Sequence, residues 1–333
     1  MGRPVAISGD SVSERVLVSG GAGFVGANLV RRLLDEGHAV SLLLRTPETA
    51  WRLGDVWSRC AVHVADLGDG KAVALAVRAA QARWIFHLAA HGAYSWETDL
   101  DRIVRTNVVG TAHLLRAATD LGVEAFVNTG SSSEYGRRDR PTSEADPLEP
   151  TSVYAATKCG ATLLAQALAR STATRIVTLR LYSIYGPYED PNRLVPALIL
   201  RGLEGRLPPL VNPDIARDFV YVEDAVDAYM RAVRDAPTGA IYNVASGRHT
   251  TLRDAVEVAR GQLGITDEPR WATMPGRSWD ATTWVGDARR IGRDFGWSAA
   301  TSFERGFALT TAWFRADPDR LALYRRRNPG SAD

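Results

Sequence analysis

The chain contains two cysteines among 333 residues, Cys60 and Cys159. They lie far apart and at no metal-ligand spacing, which excludes a disulfide framework and a thiolate metal knuckle. Two reduced core thiols in a reducing, cytoplasmic compartment are expected instead. No apolar run approaches the roughly 20 residues that a bilayer span requires. Residues 1–13 lack the apolar stretch of a signal peptide and read as a disordered leader. Charge of neither sign is in excess: 40 Lys and Arg stand against 38 Asp and Glu, for a net +2. Interspersed charges in that balance give no reason for a nucleic-acid or membrane partner. Internal repeats and low-complexity segments are missing. Neither His87 nor His91 has a partner at ligand spacing, so no catalytic metal is expected. The basic stretch from Tyr324 to Asp333 reads as a frayed, solvated tail.

What is present is an alternation. Short β-branched runs at 15–19, 39–44, 61–64, 84–88, 125–129 and 175–180 are separated by stretches of helical periodicity, including 104–121 and 152–171. Strands joined by helices imply a parallel, doubly wound α/β sheet buried on both faces. After residue 180 the texture changes, with prolines at 187, 191, 196, 208, 209 and 213 and helices expected near 194–204, 223–234 and 252–263. The expected organisation is a dinucleotide-binding Rossmann domain over 14–180, a smaller substrate-binding lobe over 181–318, and a tail over 319–333. Segments 217–222 and 240–244 are expected to return from the lobe to the main sheet.

Between the first strand and first helix runs Gly20-Gly21-Ala22-Gly23-Phe24-Val25-Gly26. It satisfies G-x-G-x-x-G at 21, 23 and 26 and G-x-x-G-x-x-G at 20, 23 and 26. A tight glycine turn lets backbone approach a pyrophosphate, and the helix N-terminus attracts it with free N–H groups. An acid closing the second strand would take the adenosine ribose hydroxyls of NAD. Arg45 stands there, suited to charge-assisted paired bonds with a 2′-phosphate, so NADP is favoured over NAD.

Tyr154 and Lys158 are spaced i, i+4 and project from one helix face. A phenol with an ordinary pKa near 10 is a poor base at neutral pH. A neighbouring ammonium and an oxidised nicotinamide would favour the phenolate and lower that value. The pair can then move a proton to or from a sugar oxygen as hydride moves at its carbon. Alone, Y-x-x-x-K is a common spacing on solvated helix faces.

Together with Asp66-Leu67, His87-Leu-Ala-Ala90, Asn107 and the serine-rich strand end, these motifs resemble the extended short-chain dehydrogenase/reductases, in their nucleotide-sugar epimerase/dehydratase branch. The resemblance spans about residues 14–315. It implies that Asp66 and Leu67 hold the adenine, that Leu88, Ala89, Ala90, Thr129 and Tyr182 line the cofactor, and that Asn107 sits near its nicotinamide half. A catalytic serine falls in Thr129-Gly-Ser-Ser-Ser-Glu-Tyr-Gly136: ungapped alignment selects Ser131, a one-residue deletion Ser132. Dehydratases of the family carry an Asp-Glu or Ser-Glu pair where this chain has Ser132-Ser133, and Glu134 could serve only if the loop shifts by one. Ser132, Ser133, Ser183, Arg217 and Arg277 are the substrate contacts implied, the two arginines clamping a diphosphate. The sequence therefore points to NADPH-linked reduction of a keto group on a nucleotide sugar. A 4-epimerase with retained cofactor is the alternative, and a 4,6-dehydratase or a non-enzymatic dinucleotide sensor carries less weight. By the same resemblance a homodimer is expected on a four-helix contact from about 101–121 and 152–171.

Overall fold

The computed structural model describes residues 13–94, 96–273 and 283–327. The leader expected over residues 1–13 therefore lies outside the described residues, except Ser13. In chain order the strands are β1 Arg15–Ser19, β2 Ala39–Leu44, β3 Ala61–Val64, β4 Trp84–His87, β5 Ala125–Ser131, β6 Arg175–Leu181, β7 Ser183–Tyr185, β8 Ala216–Arg217, β9 Phe219–Tyr221, β10 Ile241–Val244 and β11 Thr250–Thr251. The helices are α1 Phe24–Asp35, α2 Gly70–Ala80, α3 Leu100–Val104, α4 Gly110–Asp120, α5 Val153–Ala169 and α6 Leu194–Gly202. They continue with α7 Val222–Asp235, α8 Leu252–Leu263, α9 Arg289–Phe295, α10 Phe303–Arg315 and α11 Pro318–Arg327.

Seven strands form one sheet in the order β10-β6-β5-β4-β1-β2-β3, every neighbouring pair parallel. The near-continuous apolar runs of β1, β4 and β5 follow from burial on both faces. One face packs Val16, Val18 and Phe86 against Leu29, Leu33, Val226 and Tyr229 of α1 and α7. The other packs Leu17, Ile85 and Phe126 against Val73, Leu114 and Ala165 of α2, α4 and α5. Order reverses beside β1, so the carboxyl ends of β1, β4 and β5 open together where a doubly wound sheet takes its ligand.

The segment 240–244 does return to the main sheet, as β10 beside β6. The segment 217–222 does not. β9 pairs with β7 and β8 with β11 in two small separate sheets, and Val222 already opens α7. Six residues of alternating pattern were too short to show which strand they would meet. The tail also differs from expectation. It is helical through Arg327, and Tyr324 is buried among Trp51, Trp313 and Phe314. The aromatic anchor holds down a segment whose charge alone suggested solvation. Cys60 is half-buried and Cys159 buried, and both are free thiols.

Candidate active site

The glycine turn has the shape a pyrophosphate needs. A Cβ on Gly20, at φ +75°, would meet Ala89 N at 2.4 Å, and one on Gly26 would meet Gly20 O at 2.2 Å. α1 begins after Gly23 with no side-chain cap, so Phe24, Val25 and Gly26 open a helix whose first amides no capping side chain of this chain claims. The chain thus fits a dinucleotide at this turn. Leu88 N is bonded to Ser19 O, and the half-buried Ala89 and exposed Ala90 continue from the end of β4 beside the turn. Arg45 is exposed just past β2. Asp66 is exposed, one carboxylate oxygen accepting from Gly68 N at 2.7 Å, and Leu67 O bonds His113 Nδ1 at 2.8 Å.

α5 starts at Ser152, whose side chain accepts from Ala155 N at 3.1 Å, and this cap fixes Tyr154 and Lys158 in the first two turns. β5 runs two residues further than expected, to Ser131, which the parallel pairing sets opposite Leu181. The Tyr154 phenol hydrogen-bonds Ser131. Ser131 Oγ also lies 2.7 Å from Ser133 Oγ and accepts from Ser133 N at 3.2 Å. Ser132 is turned elsewhere: its Oγ accepts from Trp284 Nε1 at 2.6 Å. Trp284 stacks in turn under Arg217, whose guanidinium lies 5.8 Å from the ring centre. Lys158 is 4 % exposed, and burial draws its ammonium down to about 8. The Tyr154 phenol was expected below its ordinary value. That expectation included an oxidised nicotinamide; in the protein alone burial pushes the phenol up to about 12, against the lowering effects of Ser131 and Arg193. The sequence displays a cation four residues away but not how little water the site retains.

Glu134 is fully buried and its carboxylate is spoken for. Arg180 Nε lies at 2.8 Å, Ser131 N at 2.8 Å and Thr162 Oγ1 at 3.1 Å. It closes a capping box on Ser131 and braces the serine loop from beneath. In this arrangement the Glu134 carboxylate is committed to the support of the loop.

Asn107 sits in a π-helical turn, Arg105–Val109, between α3 and α4, which the periodicity of 104–121 concealed. Its amide accepts from His91 N and donates to His91 O, both at 2.8 Å, and donates to Thr157 Oγ1 at 2.9 Å. It thereby ties the loop after β4 to the helix of Tyr154. His87 is a second pin. Thr111 Oγ1 donates to Asn107 O and so accepts from His87 Nε2, while Ser19 Oγ donates to Nδ1. Burial and Lys158 hold this imidazole down at about 3, hence neutral. Thr129 Oγ1 lies 2.6 Å from the Tyr229 hydroxyl and the Tyr182 hydroxyl bonds Thr142, so both side chains brace the sheet end. Ser183 N is bonded to Asp218 O in the lobe. Arg277 lies outside the described residues. No cluster able to hold a metal occurs among the described residues, and none of their helices is long and apolar enough to cross a membrane.

Sequence reading missed the tether of Asn107, the Trp284–Ser132 bond and the Glu134–Arg180 pair. One signal was available for Lys158: the chain has only two lysines, and the other, Lys71, is exposed.

The model of the NAD dependent epimerase/dehydratase family matches residues 16–245. A UDP-glucose 4-epimerase of Mycolicibacterium smegmatis is 32% identical over 318 residues, covering 90% of this chain and 98% of the relative. A dTDP-glucose 4,6-dehydratase of Streptomyces griseus is 29% identical over 321 residues, covering 91% and 94%. Among solved structures, the dTDP-glucose 4,6-dehydratase DesIV of Streptomyces venezuelae, with NAD bound, superposes with a TM-score of 0.83 at 28% identity, covering 93% of this chain and 99% of its own. A matched family model over most of the chain, on a sheet and glycine turn of this geometry, makes the protein a member of the NAD-dependent epimerase/dehydratase family.

Proposed function

We propose that the protein is an NADP(H)-dependent reductase of a keto group on a nucleotide-activated sugar. The observation that carries this reading is the fate of Glu134. Dehydration needs an acid and a base beside the reacting carbons, and the one carboxylate of the serine loop is locked under it by Arg180. Ser131, Tyr154 and Lys158 form a set suited to moving a hydride's partner proton, which supports keto-reduction. The resemblance to named epimerases and dehydratases supports a nucleotide sugar as substrate, with Arg217 and Arg277 on its diphosphate and Ser132, Ser133 and Ser183 about the sugar.

The glycine turn would hold the dinucleotide, whose nicotinamide would supply the hydride chemistry at the sugar carbon. Ser131 and Tyr154 share the carbonyl oxygen, and Tyr154 delivers the proton as the oxygen becomes a hydroxyl. Lys158 holds positive charge behind the phenol and favours the phenolate left after delivery. Arg45 on a 2′-phosphate supports NADP, whereas the bound NAD of the solved relative supports the second reading, a 4-epimerase that keeps its cofactor. Exposed Leu100, Val104, Val109, Val153 and Leu163 on α3 to α5 support a homodimer through that face.

The test is a nucleoside-diphosphate 4-keto-6-deoxyhexose offered with NADPH. The reductase consumes one NADPH per product. Turnover of a nucleotide sugar to its epimer, with no added cofactor and no net absorbance change at the nicotinamide band, would sink this reading in favour of the second.

A further inference from the structure

The mechanism above uses Ser131 and leaves its neighbour Ser132 turned onto Trp284. Ser132 is 7 % exposed, and its Oγ accepts from Trp284 Nε1 at 2.6 Å. An indole N–H can only donate, whereas a hydroxyl carries a proton of its own besides its lone pairs. The serine's proton therefore points away from the indole, and it meets no acceptor among the described residues. A buried donor left unpaired is costly, and a hydroxyl that accepts from one group is polarised into a better donor toward the next. Both effects call for an oxygen brought by a ligand.

Trp284 is held in place by backbone contacts on both sides. Its carbonyl accepts from Asp218 N at 2.9 Å, and the next carbonyl, of Val285, accepts from Thr142 N at 3.0 Å. Gly286 N donates to the fully buried Asp218 carboxylate at 3.1 Å. The ring packs against the buried cluster of Tyr135, Tyr182 and Ala245. The Arg217 guanidinium lies over its face, 5.8 Å from the ring centre and within cation–π reach.

One rigid indole therefore touches two parts of the candidate site. Ser132 adjoins Ser131, which hydrogen-bonds the Tyr154 phenol, and Arg217 is the residue proposed for the diphosphate. In a nucleotide sugar the diphosphate is joined directly to the sugar, so these two contacts lie on neighbouring groups of one molecule.

We propose that Trp284 is a positioning residue of the substrate site: its N–H sets Ser132 as a donor to an oxygen of the bound sugar, and its ring seats Arg217 for the diphosphate. The inference rests on the nucleotide-sugar reading and holds whether that sugar is reduced or epimerised. Trp284 acts through Ser132 and Arg217 and is not itself a catalytic residue.

The test is isothermal titration of UDP against UDP-glucose and of dTDP against dTDP-glucose, which separates the contribution of the sugar from that of the diphosphate. Trp284→Phe keeps an aromatic face under Arg217 and removes the N–H. It should weaken the nucleotide sugar about fivefold and leave the free nucleoside diphosphate within about twofold. Ser132→Ala should do the same, and the double variant should lose no more than about twofold beyond either single one, because the two groups act as one unit. Trp284→Leu removes the face as well and should weaken the free nucleoside diphosphate about threefold or more. Four results would overturn the proposal: Trp284→Phe binding the sugar as the wild type does, equal losses for nucleotide sugar and free diphosphate in that variant, losses that multiply in the double variant, or unchanged diphosphate affinity in Trp284→Leu. The second marks Trp284 as packing alone. A wild type to whose affinity the sugar adds nothing instead removes the nucleotide-sugar reading, and the proposal falls with it.

Discussion

Replacing Lys158 with methionine should abolish turnover and at the same time stabilise the cofactor-free protein. Lys158 is 4 % exposed, and its ammonium is drawn from 10.5 down to about 8, burial being the first cause and the Glu134 charge a smaller opposing one. Between pH 8 and 10.5 the unfolded chain binds a proton here that the folded protein releases. The folded state is therefore penalised in full below pH 8, and stability rises as pH climbs through that window. At pH 7 the difference amounts to about 3 kcal/mol. Methionine fills similar volume without a charge. At about 2 °C per kcal/mol for a chain of this size, melting should rise by about 6 °C at pH 7. The assay is a thermal melt of both proteins at pH 7 and pH 10.5, with the gain shrinking toward zero at the higher value. A variant less stable than wild type at pH 7, or a gain indifferent to pH, would refute the account of Lys158 as a charge held in the site at the expense of the fold.

Glu134→Gln removes one partner of a pair that is 0 % and 3 % exposed in its side chains, and should cost about 3–5 kcal/mol in urea denaturation because Arg180 is left uncompensated. A variant of unchanged stability would argue that Glu134 serves the reaction instead. Arg45→Ala should weaken NADP binding by about tenfold or more, the worth of one charge-assisted contact, and leave NAD unaffected in isothermal titration. Equal losses for both cofactors would remove the 2′-phosphate role. Leu163, 54 % exposed on α5, is one of the exposed apolar residues of this face, with Val109 and Val153. Leu163→Glu should yield a monomer in light scattering where the wild type is a dimer, with melting little changed. A wild type that is already monomeric contradicts the proposed contact.

The sheet and the cofactor turn were legible because each is a local pattern. β1, β2, β4 and β6 are apolar runs bounded by glycine or helical periodicity, and the turn at 20–26 needs only glycine spacing. Tyr154 and Lys158 were legible as one helix face behind the Ser152 cap. The serine loop was legible in position but not in division of labour. Whether Ser131 or Ser132 meets Tyr154 depends on how far β5 runs, and that is set by pairing with β6, 50 residues away in sequence. Glu134 looks in sequence like a spare catalytic acid, and its burial depends on Arg180 arriving from β6. The same distance hides Trp284, which reaches Ser132 across 152 residues. The partners of Asn107 and the burial of Tyr324 were hidden for another reason. An asparagine in a helix and an arginine-rich end carry no local sign of the partners that claim them.

The central claim is that Tyr154 supplies the proton while hydride passes between a nicotinamide and a sugar carbon, with net reduction. NADPH carrying deuterium at the transferable position of its nicotinamide C4, incubated with a 4-keto nucleotide sugar, tests it most directly. The account predicts one deuterium on the product's new carbinol carbon with the wild type, and a rate lowered by about 10²–10⁴ in Tyr154→Phe. Product free of deuterium, or a Tyr154→Phe enzyme that transfers it as fast as the wild type, would contradict it.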